Sequence, residues 1–439
     1  MKDDPDREMS HWLTSGQVIQ ECHFAKNVLF FCGDRTTTYA SLYHTADWIL
    51  NNGNMVSYQA NLDMAKYMIG TRYNIMRMRN SNWERENQEL KVLLDAIKGF
   101  NASDLRDKIY ALIHLPPFRR EFPDIVVDYR ADARDVYIDV ARAIIKYEKG
   151  LGLLTMVDRD AARPDEGLPS WVPRWHRSDK TPNVSSMWYQ FYSAGTVNGA
   201  PALAVDRLSG DVLCLAGFEL DIIEDLCRLQ FHGTYLDKPP RQTIFHVDEP
   251  WEPYARSPES LYPTEPDFIA AYAMTLTAMC RGVGGFWARR CPEEEFPHHA
   301  GDFVAWLQWL RAAGEVEGSG SHYPPGLYSQ ERPFLNDTTE EEAFEFASRY
   351  QEMVRRYNLE RRLFRTKKGY LGLGAHGLAK GDKVYILAGG AVPLILRPRP
   401  TGDRYELIGD AYVHGVMDGE AATRHTQQDG ATWSDVDIH

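Results

Sequence analysis

Apolar residues spaced four apart mark the clearest helix in the chain. Val136, Val140 and Ile144 form one stripe, widened by Tyr137, Ala141 and Ile145, so a helix over Val136–Glu148 turns one face to a core. Asp132 stands where a side-chain cap belongs, and Gly150 and Gly152 follow the other end. Similar periodicity predicts helices over Ser15–Phe24, Tyr39–Leu50, Glu86–Phe100, Asp107–Leu115, Asp267–Cys280 and Asp302–Ala312. Leu90, Leu93, Leu94 and Ile97 line one of these, and Phe303, Trp306 and Leu310 another. Thr338 and Glu341 have capping-box spacing and open a helix that runs to about Arg361.

Extended segments follow a different pattern. Asn27–Cys32 reads as a strand closed by a Gly33-Asp34 turn, and Leu203–Val205, Val212–Gly217 and Leu220–Leu226 as shorter strands and turns. Pro239–Pro266 and Gly314–Tyr328 have the composition of loops. From Leu363 to Asp418 five apolar runs alternate with turns at Gly369, Gly381-Asp382, Gly389-Gly390 and Thr401-Gly402, the pattern of a small antiparallel barrel or meander. The expected fold class is α+β: an α-rich N-terminal part, an irregular aromatic-rich centre and a small antiparallel β-barrel-like subdomain at the C-terminus. The expected divisions are 1–100, 101–362, 363–421 and a polar tail over 422–439.

Composition narrows the classes. With 49 basic against 62 acidic residues the net charge is −13, which disfavours a general nucleic-acid binder, because phosphate neutralisation needs a positive field. No apolar run approaches the roughly 20 residues of a membrane span, and the polar start MKDDPDREMSHW lacks the apolar region of a secretory signal. Six cysteines in 439 residues are too sparse for a disulfide scaffold. The expectation is a cytoplasmic globular protein.

Most motifs with chemical content fail on context. GLGAHG, Gly372–Gly377, matches a dinucleotide fingerprint, but a strand rather than a helix follows it, so the glycines are expected to serve a turn with positive φ. Cys280, Cys291, His298 and His299 lack a C-x₂-C pair, and Cys280 falls on the predicted apolar helix. A G-x-S-x-G elbow and a P-loop are absent, and Pro5 interrupts the acidic DDPDRE. No cofactor and no metal are therefore expected. What remains is aromatic and cationic. Trp171, Trp175, Trp188 and Tyr192 either pack an irregular crossing segment or line a ligand pocket, with Tyr370 alongside. Arg361, Arg362 and Arg365, at the join of helix and barrel, either interact with the helix C-terminus or pair with carboxylates, or else clamp an anionic or carbonyl group. Tyr412 and His414 alternate with Val413 and so share one strand face, where they are either a satisfied structural pair or a proton donor.

Several blocks carry a family resemblance in one order. SDLRDKIYALIHL (Ser103–Leu115), VVDYRADARDVYIDVARAII (Val126–Ile145), LPSWVPRW (Leu168–Trp175) and the segments from RRLFRTKKGYLGLG to YELIGDAYVHGVMDGEA resemble the region after the HET domain of fungal heterokaryon-incompatibility proteins. Trp12–Gly33 is similar to the last segment of the HET domain, with Thr14-Ser15-Gly16-Gln17 where the family places an Arg and a second Trp. The resemblance implies that most of the TIR-like HET half, which drives the death response in the family, is missing here. It also permits a role in a biosynthetic cluster. The expected function is a cofactor-independent cyclase of fungal secondary metabolism. It would fold a small apolar substrate for a Diels–Alder-type cycloaddition in a cavity between the helical part and the barrel, with Arg362, Arg365, Tyr412 and His414 as donors. The alternative is a non-enzymatic incompatibility protein acting through protein partners.

Overall fold

Helix ends in this chain follow their caps and reversals more closely than their apolar stripes. The computed structural model describes residues 27, 29–38, 41, 44–45, 94, 98, 102–113, 122, 125–148, 150–159, 167–177, 191–201, 208–226, 262–264, 268–282, 288–312, 339–358, 361–400, 404–428 and 430–439. The expected helix Ser15–Phe24, strand Leu203–Val205 and loop Gly314–Tyr328 lie outside them.

Six helices are described: α1 (Asp107–Ile113), α2 (Ala133–Glu148), α3 (Phe268–Leu276), α4 (Phe296–Ala312), α5 (Glu340–Asn358) and α6 (Glu420–Gln427). Asp132 caps α2 as expected, its carboxylate accepting the Arg134 N–H at 2.9 Å. The capping box of α5 is shifted by one residue from the expected pair. The Thr339 N–H donates to Glu342 Oε2 at 2.8 Å, and the Glu342 N–H donates back to Thr339 Oγ1 at 3.3 Å. Two overlapping T-x-x-E spacings exist in DTTEEE, and only the geometry selects between them. Helix α5 also stops short of Arg361, which already belongs to a strand. Helix α4 begins six residues before the expected Asp302, because Pro297 lies in its first turn, where a missing N–H costs nothing.

Helix α3 stops before Cys280. Ala278 and Met279 take φ of 47° and 55°, and their N–H groups return to Thr275 and Met274 at 3.0 and 2.8 Å. This is a left-handed helix stop built without glycine. It sends the chain into the hairpin β5 (Cys280–Gly282) and β6 (Ala288–Arg290), so Cys280 sits on a strand rather than on the helix.

The large sheet gathers β3 (Leu208–Ser209), β4 (Val212–Leu226), β7 (Arg361–Thr366), β8 (Leu371–Ala375), β9 (Lys383–Leu387), β10 (Leu394–Pro398), β11 (Tyr405–Val413) and β12 (Ser434–Ile438). Its antiparallel pairings run β4–β9–β10–β11–β8–β7 and return to β4, a closed ring of strands. All five C-terminal apolar runs are strands of it, as their alternation implies. The sixth wall is β4, where two separate short strands were expected. Residues 213–217 of β4 pair with β12, its middle with β9 and its end with β7. Gly217 sits where pairing passes from β12 to β9, and a Cβ there would lie 2.4 Å from Leu387. The alternation then slips at a register shift between Glu219 and Asp221, leaving Leu220 and Asp221 both buried. The expected polar tail over 422–439 includes most of α6 and all of β12, whose Val436 and Ile438 are buried.

The chain divides into two compact units, residues 1–147 with 172–179 and residues 148–171 with 180–439. The first holds α2, whose buried face is the expected stripe plus Ile138. It also holds a small hairpin, β1 (Leu29–Cys32) with β2 (Arg35–Thr38), turned at Gly33 as expected. The second holds the large sheet. Among the described residues no helix is long and apolar enough to cross a membrane.

Candidate functional site

Strand periodicity builds the site. Leu363, Leu373 and Tyr412 stand in register across β7, β8 and β11, so they share one face of the sheet. Phe364, Gly372 and Val413 occupy the opposite face. There the Phe364 ring lies against the glycine, where a Cβ would come within 2.4 Å of its Cζ. Gly372 and Gly374 of the GLGAHG motif therefore sit inside β8 for close approach, not in a positive-φ turn as expected.

Tyr412 is fully buried, and its hydroxyl lies 2.9 Å from His414 Nδ1. The His414 N–H donates to the Leu371 carbonyl at 3.0 Å, extending the β8–β11 pairing past the strand end. Its carbonyl accepts the Tyr262 hydroxyl at 2.8 Å, and the Tyr262 oxygen accepts the Leu371 N–H at 3.1 Å. Tyr262 also meets Tyr370 edge-on at 6.2 Å. Over Tyr412 lies Tyr192, edge-on at 6.1 Å, with its hydroxyl donating to the Ala278 carbonyl at 2.6 Å and 3.6 Å from Cys280 Sγ. Burial pushes the Tyr192 phenol well above its ordinary range, with Cys280 and the tyrosines Tyr357 and Tyr412 adding to the effect. It remains a neutral donor.

The structure thus brings together Tyr412, His414 and Tyr192, and joins Tyr370 to them through Tyr262. The other expected residues go elsewhere. Arg365 is spent on Asp225 and Glu224 of β4, at 2.5 and 2.9 Å. Arg362 points to the opposite face and donates to the Leu378 carbonyl at 2.9 Å. Trp171 is fully buried and donates to the Asp211 carbonyl at 2.9 Å. Trp175 belongs to the other compact unit, where it packs edge-on against Tyr137 at 5.2 Å. Trp188 lies outside the described residues.

Sequence reasoning missed two members, Tyr262 and Arg290, while Arg361 pairs with a carboxylate, one of the readings open to it. Tyr262 comes from a stretch whose composition reads as loop. Arg361 forms an ion pair with Asp410 at 2.8 Å, with side-chain exposures of 1% and 2%. Strand alternation was the available signal, since it places Arg361 and Asp410 on the Tyr412 face. Arg290 had no signal, because its partners lie 99 and 128 residues away, at Phe191 and Asp418. Among the described residues no group of three or more His, Cys, Asp or Glu side chains could hold a metal ion.

Comparison with known proteins gives two matches. A family profile described as the Het-6 beta-barrel domain matches residues 333–430. That range covers α5 and β7–β11, while the ring is completed by β4 from far upstream. Heterokaryon incompatibility protein 6, OR allele, of Neurospora crassa is 28% identical over 366 residues, 74% of this chain and 50% of that relative. The chain thus spans half the length of the curated relative it matches. No solved structure matches. The domain match and the long collinear similarity agree with the resemblance read from the motifs: the chain carries a match to the Het-6 beta-barrel domain and is similar to a fungal heterokaryon-incompatibility (HET) protein.

Proposed function

We propose that this protein is a cofactor-independent cyclase that folds a flexible apolar substrate, terpenoid- or polyketide-like, and promotes an intramolecular Diels–Alder-type cycloaddition beside Tyr412. The observation that supports it is the buried Tyr412–His414 hydrogen bond inside a cluster of aromatic rings. When Nδ1 of His414 carries the proton, it donates to the Tyr412 oxygen and makes the Tyr412 hydroxyl the donor of the pair toward a conjugated carbonyl. A donor held in dry surroundings polarises a dienophile far better than one in water. The cycloaddition itself forms two C–C bonds from π electrons and moves no proton, so the pair acts by polarisation and the rings by shape.

The test compares cyclisation of a linear precursor with and without purified protein, in the presence of EDTA. An unchanged rate and stereochemical ratio would remove the proposal, and an EDTA-sensitive rate would remove its cofactor-free form. Tyr412→Phe should lower turnover strongly, whereas Trp175→Ala, whose ring packs on Tyr137, should spare it.

A second reading is favoured by the similarity to the Neurospora incompatibility protein: action through protein partners without catalysis. Expression in a fungal host separates the two. Growth arrest that survives Tyr412→Phe supports partner binding, and normal growth together with precursor turnover supports the cyclase.

A further inference from the structure

Arg290 is half-exposed, yet its guanidinium reaches three chain segments that meet around the buried Tyr412–His414 pair. Its Nη1 donates to the Phe191 carbonyl at 2.8 Å, and both Nη atoms engage the two carboxylate oxygens of Asp418. Its Nη2 lies 3.6 Å from Met279 Sδ, and its Cζ sits over the Tyr192 ring at 5.9 Å. The register explains this convergence. Arg290 pairs with Cys280 across the β5–β6 hairpin, so both side chains leave on one face, toward Tyr192. On the far side, Asp418 closes the turn that begins at His414, where Gly415 and Gly419 have φ of 77° and 87°. A backbone bond from the Ser193 N–H to the Met417 carbonyl at 2.8 Å joins that turn to the Tyr192 segment.

We propose that Arg290, through its bidentate pair with Asp418, is a positioning residue that latches Tyr192 and the 414–418 turn over Tyr412 and His414. The inference deepens the cyclase reading by naming what controls entry to its site, and its physical content stands apart from that reading. Tyr192 and Tyr412 are 5% and 0% exposed, so nothing reaches them while the segments around them stay closed. The ion pair is the outer fastening, with side-chain exposures of 30% and 38%, open enough to solvent for salt to weaken it in part. Once Asp418 lets go, the freed guanidinium stands over the Tyr192 ring and offers its planar fork to a carbonyl or carboxylate on an entering apolar molecule. The ligand class is therefore an apolar molecule with one such oxygen function.

The experiment measures tyrosine nitration by tetranitromethane, resolved by peptide mass spectrometry, on the full chain. Tyr350, fully buried with its hydroxyl on the Ala273 carbonyl at 2.7 Å, reports opening of the α3–α5 core. Arg290→Ala should raise nitration of Tyr192 and Tyr412 by about tenfold, the loss of one charge-assisted hydrogen-bonded contact, and leave Tyr350 unchanged. Arg290→Lys keeps the charge but loses the fork, and should fall between. The unmodified protein in 1 M salt should show a smaller rise at the same two tyrosines. A latch is overturned if these tyrosines label at the original rate in both Arg290→Ala and salt, or if Tyr350 rises in step with them in salt. Labelling needs no substrate, so a latch that opens without any cyclisation would sink the cyclase reading alone.

Discussion

Arg361→Met probes the most demanding interaction in the sheet. Arg361 and Asp410 are an ion pair with an Nη2···Oδ1 distance of 2.8 Å, and their side chains are 1% and 2% exposed. Removing the cation leaves a carboxylate that is almost fully buried. Asp410 Oδ2 has no hydrogen-bond partner among the described residues, so little else compensates it. Breaking one side of such a pair costs about 3–5 kcal/mol, whereas replacing both with apolar residues of similar volume is neutral or stabilising by about 1–4 kcal/mol. The expected order of stability is then Arg361→Met and Asp410→Leu well below the parent, with the double variant at or above it. Urea unfolding of all four proteins, followed by fluorescence at one pH, gives the cycle. If each single variant lost less than about 1 kcal/mol, the range of exposed pairs, the pair would not be buried as described. Additive losses in the double variant would refute the coupling itself.

Three further outcomes follow from local geometry. Gly372→Ala places a Cβ 2.4 Å from Phe364 Cζ and 2.6 Å from the Tyr412 carbonyl, and the backbone oxygen cannot yield. A loss at the upper end of the roughly 1–3 kcal/mol typical of overpacking is expected in thermal melts, and Phe364→Leu should recover only part of it. Thr339→Ala should cost about 1 kcal/mol by removing the cap hydroxyl, while Glu341→Ala, outside the box, should leave the melting curve in place. Burial, and then the charges of Arg281 on β5 and Arg349 on α5, depress His299 from 6.5 to about 3, with Glu295 opposing them weakly. The folded protein then refuses a proton that the unfolded chain accepts. The penalty is absent above pH 6.5, grows as pH falls, and is complete near pH 3, at about 1.4 kcal/mol per pH unit in between. His299→Gln should flatten this part of the stability profile between pH 6.5 and 4.5, measured against the parent, and an unchanged slope would show that His299 is not the group responsible.

Local signals were enough wherever one face of one element decides the outcome. The α2 stripe and its Asp132 cap, the Gly33 turn and the five C-terminal strands are set by periodicities of 3.6 and 2 and by residues that tolerate particular backbone angles. The Tyr412–His414 pairing was legible for the same reason, because residues two apart on a strand must share a face. Contacts between distant segments were not legible. Recruitment of β4 into the ring and of β12 onto the edge of β4, the bond of Tyr262 to His414, and the meeting of Arg361 with Asp410 and of Arg290 with Asp418 depend on chain separations of 49 residues or more. Tertiary packing also decided what each aromatic and cation does. Trp171, Trp175, Arg362 and Arg365 have the residue types of a binding site, yet their polar atoms or ring faces are taken by neighbours that only the folded sheet and the α2 region bring near. A side chain's type fixes which interactions it is able to make, and the partner it makes them with is fixed by whichever strand or helix the closed core sets beside it.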